Sequence, residues 1–209
     1  MRRLNGKGVT LIELLVALVI CGMVAAGIYQ VFIAQSKAYT VQDQVVEVQQ
    51  SVRSAMEILL RDLRMAGFDN DNILSTITIT SPIANLSDNS ITVNYEYYDK
   101  SLAQYQKHTV AYWRNGDSSS LIRQLTVDDV ASPQETLLEN VDQLDFMYGV
   151  DVDEDDALDN WVPAGSIGIS KVVAVRVTLT ARPVQINPDL QKISPRTLVS
   201  NVALRNIIK

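Results

Sequence analysis

The chain has 209 residues, a formal net charge of −6 and 47% hydrophobic residues, enough for one membrane anchor beside one soluble unit with a core of its own. The acidic balance argues against nucleic acid as the principal ligand, because phosphate contacts need clustered Lys and Arg. A single cysteine, Cys21, excludes an intramolecular disulfide, and with a single histidine, His108, it excludes zinc sites of the usual Cys/His type.

The amino terminus, MRRLNGKG, is a short basic lead that ends in Gly8. Beyond it, residues 14–36 carry no Asp, Glu, Lys, Arg or His, and their only thiol is Cys21. At about 1.5 Å per residue a helix over that run exceeds the ~30 Å hydrocarbon core of a bilayer. Arg2, Arg3 and Lys7 hold the near end in the cytoplasm if the run is an ordinary signal anchor. Glu13 points to something narrower, since a carboxylate inside an apolar helix costs roughly 2.5–3.5 kcal/mol and calls for a partner. A cut after Gly8 would make Val9 a free amine at i, i+4 from Glu13, on the same helix face. The carboxylate would then neutralise its own terminus or that of a neighbouring copy. A conventional secretory signal, with Val24 and Ala26 before a cut at Gly27, is the competing reading, and it leaves Glu13 without a purpose.

The stretch K-G-V-T-L-I-E-L-L-V-A-L resembles the type IV pilin signature of basic leader, glycine, cleavage site, Thr-Leu-Ile-Glu and long apolar helix. Val9 departs from the phenylalanine usual in that family. The resemblance implies cleavage by prepilin peptidase between Gly8 and Val9, methylation of Val9, and an assembly role for Glu13. Removing the leader takes three positive charges from a net of −6 and leaves −9, before the new terminal amine is counted.

The apolar run continues into an amphipathic one. Val41, Val45, Val48, Val52, Met56, Leu59 and Leu63 recur every three or four residues, which predicts one helix from about residue 9 to 65. Arg53, Glu57 and Arg61 support one another on another face at i, i+4, and Gly67 is a natural stop. A coiled-coil stalk is the alternative use of such a helix.

Downstream the texture becomes β. Residues 75–81 and 90–98 alternate with period two, residues 107–114 and 119–127 flank an Asn115-Gly116-Asp117 turn, and residues 137–141 and 144–150 form short strands or one strand with a turn. Residues 171–181, KVVAVRVTLTA, form the strongest candidate, and residues 196–208 form the last. The fold class expected is α+β: a long N-terminal helix packed against an antiparallel sheet. Its divisions are a leader over 1–8, an embedded helical half over 9–36, and a head over 37–209 whose share of the helix reaches about residue 66.

The segments DLRMAGFDN, LLENVDQLDFMY, VVAVRVTLTARP and VSNVALRN are similar to PilW-type minor pilins and approach the J-type minor pseudopilins of type II secretion. The resemblance implies a structural protein that sits in the inner membrane with its head in the periplasm and later enters a pilus at the cell surface. The partners it implies are other minor pilins, the major pilin and prepilin peptidase. A membrane-anchored receptor or enzyme outside any filament is the rival from another class, but no phosphate loop or nucleophile elbow is present to support it. His108 reads as an exposed residue near a strand edge. No cofactor is expected beyond a candidate structural Ca²⁺, for which Asp151, Asp153 and Asp155 have the one-apart spacing of a calcium loop. The EF-hand pattern fails, with Asp156 where glycine belongs, and a solvated acidic loop is the simpler reading. Asp69 and Asp71 form a weaker version of the same idea. Tyr95, Tyr97, Tyr98, Tyr105, Tyr112 and Trp113 crowd one region, and alternation divides them between core and surface.

Overall fold

The computed structural model describes residues 9–69, 75–183 and 194–207. Gly8, Asp71 and the end of the last expected strand at Ile208 therefore lie outside the described residues. One helix, α1 (Leu11–Met65), is followed by ten strands: β1 (Ile83–Ala84), β2 (Ser90–Asp99), β3 (Gln104–Asn115), β4 (Ser120–Val127), β5 (Val130–Ala131), β6 (Glu135–Leu138), β7 (Val141–Asp151), β8 (Asn160–Val162), β9 (Lys171–Ala181) and β10 (Arg196–Ala203). The chain divides into two compact units between Gln44 and Val45, inside α1, whereas composition alone suggests 36/37.

In the first unit the helix buries almost nothing. Leu11, Ile12, Leu18 and Phe32 are each more than 60% exposed. This part of α1 is long and apolar enough to cross a membrane, and none of its apolar window is covered by other described residues. An uncovered apolar surface of that extent marks lipid or other helices as its natural surroundings.

In the second unit α1 supplies one face of the core. Val52, Met56, Leu59 and Leu63, the later members of the predicted stripe, are at most 2% exposed and pack with Val93, Val110, Tyr112, Phe146, Tyr148, Val175 and Leu179. The helix stops at Gly67, whose φ of +75° is the left-handed conformation that favours glycine. Its N–H donates to Asn94 O at 2.9 Å, and a Cβ there would meet Pro82 at 3.1 Å, so the stop also ties the helix end to the sheet.

Two antiparallel sheets, rather than the single one expected, complete the unit. The first runs β1-β2-β3-β4-β5 with β6 also on β4, and the second runs β10-β9-β7-β8. Most strands fall where alternation places them, and β9 coincides with its predicted span. Residues 137–150 resolve into β6, a turn through Asn140 at φ +54°, and the long β7.

Residues 75–81 are the exception. They keep an alternating exposure but join no ladder among the described residues. Side chains satisfy the backbone instead: Ile77 N–H donates to Ser75 Oγ at 3.2 Å and Ile79 N–H to Asp69 Oδ2 at 3.0 Å, while Pro82 follows without a donor. His108 also differs from its expected place. It lies on β3, paired with Tyr95 on one side and Val127 on the other, and is half-buried rather than exposed at an edge.

Candidate functional site

The first candidate is the start of α1. Thr10 precedes the first helical residue, and its carbonyl accepts the first i to i+4 bond from Leu14 N–H at 3.2 Å. Its hydroxyl accepts from Glu13 N–H at 3.4 Å. Glu13 Oε2 in turn accepts from Thr10 N–H and from Thr10 Oγ–H, both at 3.0 Å. This is a capping box, in which an N-cap threonine and a glutamate three residues on satisfy each other's free donors. The negative carboxylate also lies in the first turn, where the helix dipole favours it. The sequence carries the signal, Thr-x-x-Glu before an apolar run, but the expectation above assigned Glu13 to the Val9 amine instead. In the uncut chain Val9 is a peptide nitrogen, and Glu13 is held by Thr10. Both capping residues lie downstream of the Gly8–Val9 bond, so the box survives a cut there.

The second candidate was missed altogether. Asp62, on the last turns of α1, is buried among apolar neighbours, with a side chain only 4% exposed. Tyr112 O–H from β3 donates to its Oδ2 at 2.6 Å, and Arg123 from β4 donates through Nε and Nη2, each at 3.0 Å. Arg123 Nε also reaches Tyr112 Oη at 3.1 Å, and Arg123 Nη1 lies 3.5 Å from Glu135 on β6. Arg61 approaches the other oxygen of Asp62 at 3.5 Å from solvent. Burial, followed by the nearby Asp62 charge, pushes the Tyr112 hydroxyl far above its ordinary range, so it serves as a fixed donor. Burial works against the Arg123 charge, but Tyr112 and Asp62 outweigh it and hold the guanidinium protonated. Tyr95, further along, is raised to about 12 by burial and then by Asp62. A closed network of this kind positions the helix on the sheet and has no free base or nucleophile to offer.

The third is the acidic loop between β7 and β8. The carboxylates of Asp151, Asp153 and Asp159 have oxygens within 4.8 Å of one another. Asp155, part of the expected set of Asp151, Asp153 and Asp155, is not among them. Its Oδ1 turns back to accept Ala157 N–H at 2.8 Å, and Asp159 takes the place it was given. Asp151 is buried, and its two oxygens accept Glu154 N–H at 2.8 Å and Asp156 N–H at 2.9 Å. Asp159 caps Val152 N–H at 2.7 Å, and Lys171 pairs with Asp156. The loop is thus built on its own carboxylates, with Glu154 and Asp156 at φ +64°. Asp155, Asp159 and Asp151 together raise the Asp153 carboxyl above its usual range.

The aromatic region divides as alternation predicts. Tyr95 and Tyr112 are buried, while Tyr97 and Tyr98 are nearly half exposed. His108 lies between Tyr95 and Tyr97, with ring centroids at 5.4 and 4.8 Å. Desolvation lowers its pKa, against the attraction of Asp128. Arg176 stands over the Trp161 ring at 4.2 Å.

Two family matches fall on these elements. Residues 3–29 match the prokaryotic N-terminal methylation motif, which spans the capping box and the first turns of α1. Residues 104–203 match the family described as Type IV Pilus-assembly protein W, from the start of β3 to the end of β10. The chain is a type IV pilin-like protein. No curated protein matches it. The pilin-related families it matches are structural rather than catalytic. The methylation motif together with the apolar helix is consistent with an inner-membrane anchor.

Proposed function

We propose that this pilin-like chain is a minor pilin of a type IV pilus. Prepilin peptidase cuts it after Gly8, and Val9 becomes the methylated first residue. It waits in the inner membrane as a single-pass protein with its head in the periplasm, then enters the filament, where with other minor pilins it primes assembly near the tip. The observation that carries this reading is the order of parts along one chain. A methylation motif opens an uncovered apolar helix, and the same helix runs on to become the core of a sheet unit that matches a pilus-assembly family.

Supporting it further, the Thr10–Glu13 box lets the helix begin directly at the cut. No second cap is needed after processing. A paired Glu13 also lowers the penalty of carrying a carboxylate into an apolar bundle. The type II secretion pseudopilin is the nearest rival, and the description of the matched family favours the pilus. Deleting the gene and counting filaments tests the priming role. The reading expects markedly fewer pili, with the chain itself recovered at low abundance in sheared native filaments. Normal piliation with a loss of protein secretion would assign the chain to the pseudopilus.

A further inference from the structure

The second sheet is electrically polarised from corner to corner. Its order is β10-β9-β7-β8, so β10 and β8 form opposite edges. Arg196 opens β10 beside Ala181, the end of β9, whereas Asp151 closes β7 beside Lys171, the start of β9. Ten residues separate these ends, which at about 3.3 Å each is roughly 30 Å along the strands. One corner is basic and the diagonally opposite corner is acidic.

The basic corner is a groove of about 530 Å³ between the second-unit part of α1 and β10, lined by Gln49, Val52, Arg53, Pro195, Arg196 and Leu198. Arg196 Nε is buried there without a hydrogen-bond partner among the described residues. A buried, unpaired guanidinium nitrogen is costly and calls for an acceptor. Among the described residues Arg53 is engaged only by Glu57, at 3.8 Å, with both side chains more than 70% exposed. Beyond the groove, β10 pairs only with β9 among the described residues. At the acidic corner, Asp153, Glu154 and Asp155 are all exposed, and among the described residues Lys171 pairs only with Asp156.

We propose that the Arg53–Arg196 groove receives the 151–159 loop of a second copy of this chain. The complementarity is of charge and of position. Two guanidiniums beside Val52, Pro195 and Leu198 meet a turn that carries three exposed carboxylates. The surfaces are different patches on opposite corners, so the contact is heterologous unless a two-fold axis makes it reciprocal. The contact deepens the pilin reading but does not depend on it, because it can be measured on purified protein.

The test is disulfide trapping in the detergent-solubilised full chain, in a Cys21→Ser background. Gln49→Cys is placed in one tagged preparation and Glu154→Cys in another, and the two are mixed and oxidised. The proposal expects the mixed pair to cross-link at least fivefold more than either preparation alone. Arg196→Gln in the first partner, Asp153→Asn in the second, or 0.5 M NaCl should each lower the yield severalfold, since exposed pairs are screened by salt. Asp153 is exposed, so its replacement leaves folding intact even if Arg196→Gln does not. Equal trapping in the unmixed preparations, or a yield indifferent to Asp153→Asn and to salt, overturns the proposal. Filaments lacking the chain would refute the pilin assignment while leaving this measurement standing.

Discussion

Glu13 and Asp62 are acidic residues on the same helix, and their partners come from different distances along the chain. Glu13 is bonded to Thr10, three positions away, in an exposed apolar segment. Asp62 is bonded to Tyr112 and Arg123, 50 and 61 positions away, inside a packed core. A charge satisfied within its own first turn travels self-contained into a membrane or a bundle. A charge satisfied only by two strands becomes tolerable once the sheet has closed over the helix, so it favours one docking register over others. That is the best-attested use of buried ionic groups.

The largest effect should come from breaking the second arrangement. Asp62→Ala strands the Arg123 charge and the Tyr112 hydroxyl in the interior, and about 3–5 kcal/mol of stability should be lost. Urea unfolding of the detergent-solubilised chain, read by tyrosine fluorescence, measures it. The double change Asp62→Leu with Arg123→Met removes both charges and should recover most of that loss. If the double variant were as unstable as the single one, the network would not act as a pair.

Next comes the first arrangement. Thr10→Ala removes the cap and should cost the helix start about 1 kcal/mol. Amide exchange at residues 11–14 should quicken while the urea midpoint of the second unit stays unchanged. Glu13→Gln keeps an acceptor for Thr10 but loses the charge. The variant should still be inserted and cut, yet be depleted from sheared filaments. Normal abundance there would confine Glu13 to capping and processing.

The same contrast governs what the sequence discloses. The capping box is written in four consecutive residues, and the core stripe of α1 in a spacing of three and four, so both were open to reading. β9 and the β2–β3–β4 meander were legible because alternation matches a half-buried strand. Asp62 sits between Leu59 and Leu63 on the stripe, but nothing local names Tyr112 or Arg123 as its partners. Residues 75–81 misled because alternation records which side faces inward, not whether the backbone has a ladder to join. Asp155 falls outside the cluster for a related reason: spacing brings carboxylates near one another, and backbone donors then decide which way each turns.

A smaller effect concerns His108. Its folded pKa is lowered by desolvation, so it contributes stability that is present above its unfolded pKa of about 6.5. That stability is lost as the pH falls through the lower folded value. The melting temperature should drop on acidification from pH 7.5, and His108→Phe, which keeps a ring between Tyr95 and Tyr97, should flatten the drop. An unchanged slope would assign the pH response to other groups.

Smallest of all is the acidic loop. The crowding that raises the Asp153 pKa opposes folding when that carboxylate is charged. Asp153→Asn should therefore raise the melting temperature slightly at neutral pH. The gain should vanish below about pH 4, where the native residue is protonated too. A lower midpoint at neutral pH would mean that the Asp153 charge has a favourable partner.

The central claim is that the helix start is a processing and assembly terminus, and the mass of the mature amino-terminal peptide tests it most directly. Intact-mass and fragment analysis of chain recovered from membranes and from sheared pili should find Val9 as the first residue, carrying one methyl group. A Gly8→Leu variant should accumulate uncut. A mature terminus at Gly27, or a full-length chain that retains Met1 in native cells, would contradict the account.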